Sequence, residues 1–329
     1  MPVGVTDVVQ AMVSGLLQGG FYALAAVGLS LIYGVQKVLN IAHGAFIVVA
    51  AFVTIQFSIL LTPVLHIDPL VSLAVDFFVM GGLGVLTYYG LIFGTENKGF
   101  EGPLLATFGL SIFMEYVVSN GLSFPVTLGS RVYNLVLIPV LDPSYGNGAQ
   151  AQHQTYSSST VIIGSIRLFE PQLIAFGLAI VLIPLLHLFL TKTYYGNGIR
   201  ATAQDWEAAE FSGIDVRKTR LLSFVIGSGL AGVAGGIYAF TNSVFASLAD
   251  ISLLPIILVI IILGGVGSVI GTLIGGVAVG LLISLSNFVT LQVLTQFNFP
   301  SNTGTLLTYL IFLIVLMVKP TGFFGRVGK

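Results

Sequence analysis

The chain has 329 residues, of which 56% are hydrophobic and only 8% charged, with a net charge of −1 and a mean hydropathy of +1.01. Soluble domains carry about 25% charged residues, so this is the composition of an integral membrane protein, and the near-zero net charge leaves no footprint for nucleic acid. The lack of cysteine excludes disulfide frameworks, thiolate metal sites and a cysteine nucleophile, and the four histidines at 43, 66, 153 and 187 are too scattered for a zinc cluster.

Apolar runs fall near 8–35, 40–62, 70–93, 103–121, 169–190, 221–241, 253–267, 270–291 and 304–319. A helix needs about 20 apolar residues to cross the hydrocarbon core. The 253–267 run is short and contains Gly264, Gly265 and Gly267, so it reads as either a half-helix or a full crossing. The expectation is an all-α polytopic bundle of eight or nine membrane segments with glycine-rich broken helices, one transmembrane domain over 1–329. The first basic residue is Lys37, so the amino end lacks the charged start of a cleaved signal peptide and the first run should be retained.

Gly15 and Gly19 stand four apart in the first run, followed by Gly20 and Gly28, a spacing that lets helices approach closely in lipid. In the string GLSLIYGVQKVLNIAHGAF at 28–46, Asn40 is placed to cap the second run and His43 to lie in its first turn. Such groups can offer donors to a polar solute. The alternative is a histidine bonded to the backbone of a neighbouring helix. Glu96, Lys98 and Glu101 in the loop 94–102 read as a solvated face or a partner contact.

Glu115 stands out as the one acid well inside an apolar run. A charged carboxylate there costs several kcal/mol. It either meets the ammonium of a passing amino acid or bonds to a hydroxyl or backbone group across a helix contact, near Tyr116 or Ser119. Residues 122–168 form a long loop outside the membrane with Pro125, Pro139 and Pro143. Alternation in RVYNLVLIPV and TVIIGSIRLF predicts two short strands forming a hairpin around the polar tract 145–160. That insertion either contacts an external binding protein or has no role.

Lys192–Arg220 is the longest strongly charged stretch, with five of the twelve basic residues and four of the thirteen acids. It reads as a loop that leaves the membrane and returns. Asp205 can cap a short helix running through Trp206, Glu207, Ala208, Ala209 and Phe211. Glu207 in the first turn suits the helix dipole, and Gly213 can end the helix with Ile214 packing back. Asp215 can cap the next helix, which begins with Arg217, Lys218 and Arg220. Beyond it, Ser228, Gly232 and Gly236, then Gly267, Gly271 and Gly275, recur every four residues, a pattern for close packing or for a hinge along a path. With the amino end outside and nine crossings, Lys37, Lys98, Lys192, Arg200, Arg217, Lys218, Arg220, Lys319, Arg326 and Lys329 fall inside, and Arg131 and Arg167 outside. That bias places the loop 192–220 and the C-terminus in the cytoplasm.

Three separated stretches carry a resemblance. EAAEFSG at 207–213 is similar to the coupling motif of ABC importer permeases. The wider string from Gly198 to Ile237, with LNIAHGAF, ATFGLS and ILGGVGSVIGTLIGGVAVGLL elsewhere, resembles the LivH-type branched-chain amino acid permeases. Trp206 stands where that family more often has proline or another small residue. The resemblance implies a permease subunit whose coupling residues Asp205, Trp206, Glu207, Ala208, Ala209 and Gly213 meet an ATP-binding subunit. The candidate pathway residues are Asn40, His43, Glu115, Gly264, Gly265 and Gly267. It further implies two ABC ATP-binding subunits, a second permease chain (LivM-type or a second copy), an extracytoplasmic solute-binding protein, and a cell-membrane location. No cofactor or metal is expected on this chain. Branched-chain amino acids are the implied solutes, with urea and short amides carried by relatives.

No GxxxxGK[ST] loop occurs, so ATP hydrolysis is expected on a partner. The glycines at 265, 267 and 271 lack the preceding strand of a dinucleotide site. An ion-coupled carrier, which usually needs several intramembrane acids, has no use for a coupling loop, and a membrane hydrolase would need a catalytic pair that is not evident.

Overall fold

The computed structural model describes residues 4–60, 68–95, 99–120, 122–128, 131–138, 160–242, 244, 253–292 and 303–318. Each apolar run is helical within these bounds: α1 (Val5–Gln36), α2 (His43–Leu60), α3 (Ser72–Thr87), α4 (Glu101–Asn120), α5 (Glu170–Lys192), α8 (Val216–Thr241), α9 (Leu254–Gly264), α10 (Val269–Gln292) and α11 (Thr303–Val318). Between α5 and α8 lie α6 (Tyr194–Gln204) and α7 (Trp206–Phe211). A 3₁₀ turn precedes α3 and a π-turn at Tyr88–Ile92 follows it, so Pro69–Thr95 is one rod. Asp68 starts that rod by accepting the Leu70 N–H at 2.8 Å. Among the described residues, α1, the Pro69–Thr95 rod, α5, α8 and α10 are long and apolar enough to cross a membrane, with three shorter apolar helices beside them.

Helices α1 and α8 form the centre. Association in lipid depends on close packing, because the lipid is as apolar as the side chains. The small residues of α1 supply it: a Cβ on Gly19 would lie 2.6 Å from Val277 Cα on α10, and Gly28 sits against the Gly227 backbone on α8. Outward faces stay apolar and exposed, as at Phe78, Leu86 and Met317, where a lipid tail is the natural neighbour.

Across 253–267 the described residues form a short helix. Helix α9 has 11 residues, about 16 Å of rise, roughly half the hydrocarbon core. It stops at Gly264, and the chain reverses into α10 through Gly265 (φ 86°) and Gly267 (φ 76°), backbone that only glycine adopts without strain.

Two expectations are corrected. Among the described residues, 131–138 and 160–169 do not pair with each other. Strand β1 (Leu122–Leu128) pairs with β2 (Arg131–Ile138), and β3 (Thr160–Ile163) pairs with β4 (Ile166–Phe169) across a turn at Gly164, φ 64°. A tight turn inside TVIIGSIRLF makes it a hairpin by itself. The stretch 192–220 is also more helical than expected: before the two helices begun by Asp205 and Asp215 comes a further one, α6, capped by Thr193, whose hydroxyl accepts the Gly196 N–H at 3.0 Å. Glu96, Lys98, the tract 145–159, Ser243, Asp250 and the tail from Lys319 lie outside the described residues.

Candidate functional site

Helix α7 is six residues long and is held by its ends. Asp205 is extended (φ −154°, ψ 107°), and its Oδ1 accepts the Ala208 N–H at 3.0 Å. At the far end, Gly213 (φ 82°) donates to Glu210 O at 2.9 Å and Ile214 donates to Ala209 O at 3.0 Å. This pair of bonds is the Schellman arrangement, which satisfies the terminal carbonyls. Only Ala209 is buried on the helix; Glu207, Ala208 and Glu210 face outward, Trp206 is half exposed and Phe211 is 92% exposed.

A six-residue helix is unstable alone, so its base matters. Helix α6 packs against α7, Ile199 and Thr202 on it are buried, and the Thr202 hydroxyl pairs with that of Thr219 on α8 at 2.8 Å. The Arg220 guanidinium sits 5.5 Å from the Trp206 ring centre, and that of Arg217 lies 4.0 Å from Phe93. Asp215 starts α8 by accepting the Lys218 N–H at 3.0 Å and pairs with Lys218 Nζ at 3.0 Å. The Lys218 backbone N–H, then its side chain, hold the Asp215 carboxyl below the usual carboxylate range.

Asn40 and His43 come together where α1 leads into α2. Both are fully buried. Asn40 Oδ1 accepts the Ala42 N–H at 3.1 Å, and the His43 N–H reaches Asn40 O at 3.2 Å. His43 Nε2 lies 2.9 Å from Ala25 O, so it carries the proton and donates. Of the two sequence readings of His43, a bond to a neighbouring helix backbone is the one the structure shows. Asn40 Nδ2 and His43 Nδ1 have no hydrogen-bond partner among the described residues.

Glu115 is elsewhere, half-buried on α4. The expectation that it is the one acid inside an apolar run is wrong, because Asp76 lies in the run 70–93 and is fully buried on α3. The Thr54 hydroxyl of α2 donates to Asp76 Oδ2 at 2.5 Å, while Oδ1 has no partner among the described residues. An Asp in the middle of LVSLAVDFFVMGG is visible by inspection; hydropathy averaging hides it.

Gly264, Gly265 and Gly267 form the α9–α10 turn rather than joining Asn40 and His43. Gly264 packs on the Gly271 backbone, and Gly267 meets Gly34 of α1. Gly267 also lines a cavity of about 660 Å³ at the α7 end of the bundle, with Ser30, Lys37, His187 and Arg200.

Long apolar helices packed on one another through glycine, with apolar faces left exposed, place the chain in the class of multi-pass membrane proteins. It belongs to the branched-chain amino acid transport system / permease component family, whose pattern matches residues 11–316. The high-affinity branched-chain amino acid transport system permease protein LivH of Escherichia coli (strain K12) is 27% identical, covering 96% of this chain and 95% of that one. A probable branched-chain amino acid transport permease protein LivH of Methanocaldococcus jannaschii is also 27% identical, over 94% and 90%. The nucleoside ABC transporter permease protein NupB of Lactococcus lactis is 27% identical over 46% of this chain and 41% of its own. No solved structure matches.

Proposed function

We propose that the chain is the membrane subunit of an ABC importer, forming the path for branched-chain or other neutral amino acids, driven by ATP hydrolysis on two partner subunits. The observation that carries this is α7. A short helix fixed at both ends, with Phe211 held 92% in the open, suits insertion into a cleft of another protein. Coupling then requires that α7 make different contacts in the two states of the partner. Asp205, Trp206, Glu207, Ala208, Ala209 and Gly213 would form the coupling surface.

The basic residues support a cytoplasmic position for α7. Lys192, Arg200, Arg217, Lys218 and Arg220 cluster around it and Lys37 lines the adjoining cavity, whereas Arg167 lies on β4 before α5 begins. A solute-binding protein would deliver the solute at the opposite face, and a second permease chain, of the LivM type or another copy, would complete the pore. The curated relatives named for branched-chain amino acid transport support that substrate class over urea or short amides. Buried Asp76 favours a second reading, an ion-coupled carrier. Its Oδ2 is held against Thr54 and it lines neither described cavity, and that reading gives α7 no task.

The test uses the assembled transporter in proteoliposomes. Glu207→Lys or Gly213→Pro is expected to abolish substrate-stimulated ATPase activity while the chain remains inserted. Full coupled activity in both variants removes α7 from the mechanism, and uphill uptake on an ion gradient without the ATP-binding subunits overturns the class.

A further inference from the structure

A second cavity, of about 170 Å³, lies toward the end of the bundle away from α7. It is bounded by the middle of α1, the start of α5, the end of α8 and the start of α9. A dry cavity of about 150 Å³ accommodates benzene, so this one has the size for a single small solute. None of its lining residues has a formally charged side chain. Gln18, Tyr22, Gln172, Tyr238, Thr241 and Asn242 offer amides and hydroxyls, and Phe21, Leu253 and Ile256 supply an apolar wall.

Some of these groups satisfy one another. Gln18 Nε2 donates to the Tyr22 hydroxyl at 3.5 Å, and Asn242 Nδ2 donates to Thr241 Oγ1 at 2.6 Å. Gln172 Oε1 does not: it is buried with no partner among the described residues. A buried amide oxygen without a donor is costly, and a bound solute would remove that cost. The amide can turn to present oxygen or nitrogen.

Helix ends of both signs border the same space. Gln172 is the third residue of α5, and α5 and α9 both begin without a side-chain cap, so the positive dipole end of α9 is unopposed and that of α5 has Glu170 in its first turn. Thr241 and Asn242 stand at the negative end of α8. A zwitterion finds favourable potential for each of its charges here, whereas a net-charged solute would be desolvated with no counter-ion among the lining residues.

We propose that this cavity is a solute site of the permease itself, taking a small zwitterionic amino acid with an apolar side chain and excluding net-charged ones, with Gln172 as its specificity-determining residue. The proposal rests on the permease reading above and adds selectivity that the membrane chain supplies without the binding protein.

The experiment measures equilibrium binding of L-leucine and L-lysine to the purified complete complex in nanodiscs, without the binding protein. The wild type should bind leucine and reject lysine. Gln172→Leu should weaken leucine at least tenfold, and Gln172→Glu should move the preference toward lysine by a similar factor. If either variant fails to give a monodisperse complex, Tyr238→Phe, which removes a lining hydroxyl, is expected to weaken leucine at least tenfold, and unchanged leucine affinity overturns the proposal. No leucine binding by the wild type, or an unchanged leucine-to-lysine ratio in the variants, overturns the proposal. Leucine-stimulated ATPase activity of the wild type with its binding protein is measured alongside. Its presence with an unchanged ratio overturns this site alone, and its absence overturns the permease reading as well.

Discussion

The Thr107 hydroxyl on α4 accepts the backbone N–H of Ile41 at 3.2 Å. The contact spans 66 residues of sequence and joins the ATFGLS stretch to LNIAHGAF. The first N–H groups of a helix have no partner within it. Around the start of α2 they are met from outside: Ile41 by Thr107, Ala42 by Asn40 Oδ1 and His43 by Asn40 O. The buried polar turn that presents His43 to Ala25 is therefore held by another helix.

Thr107→Val keeps the shape and removes the acceptor. It should destabilise the protein by about 1–3 kcal/mol, the cost of an unsatisfied buried donor. Thr107→Ser should restore most of this. Thermal unfolding of the purified protein in detergent checks both.

Gly236 faces the Asp76 pocket. A Cβ there would lie 2.6 Å from Asp76 Oδ2 and 2.9 Å from Thr54 Oγ1. Gly236→Ala should cost about 1–3 kcal/mol through overpacking. Asp76→Asn, which still accepts from Thr54, should be milder than Thr54→Val, which leaves the carboxyl with no hydroxyl donor. The order of melting temperatures across these three variants is the measurement.

The turn between α9 and α10 depends on Gly265 at φ 86° and ψ 122°. Gly265→Ala should cost about 1–3 kcal/mol, because an L side chain is strained in that region. Lower yield of folded protein and a lower melting temperature are expected. A value equal to wild type would show that the half-helix tolerates another way of turning.

The Asp215 cap has a definite pH window. Its carboxyl is held below the usual range, so the stabilisation is fully present above the unfolded value of about 3.9. It is lost only as pH falls through the lower folded value. Lys218 is raised by the same contact, so its share is present below its unfolded value of about 10.4 and lost above the folded one. Between about pH 5 and pH 8 neither group titrates, so the effect of Asp215→Ala on coupled ATPase activity should be constant across that interval.

Glu115→Gln should leave leucine uptake within a few-fold of normal. Glu115 is half-buried on α4 and lines neither described cavity. Complete loss of uptake would place it on the solute path after all.

What could be read from the residues alone follows one rule: the partner had to be close in sequence. Asp205 and Asp215 cap helices through N–H groups three residues on, and Gly213 closes α7 on carbonyls three to five residues back. Apolar runs announce their helices because a rod in lipid must be predominantly apolar. Helix α6 escaped because its support comes from Thr219 on α8 and from Ile199 buried against the bundle, while its own surface is polar. The same reason hid the polar interior. Asp76 is explained by Thr54 on another helix, Ile41 by Thr107, and the solute cavity by residues from four separate elements. Hydropathy and capping fixed what each segment is; only the packing of helices far apart in the chain decided which buried polar groups meet, because glycine-lined contacts bring those backbones together at distances no local pattern encodes.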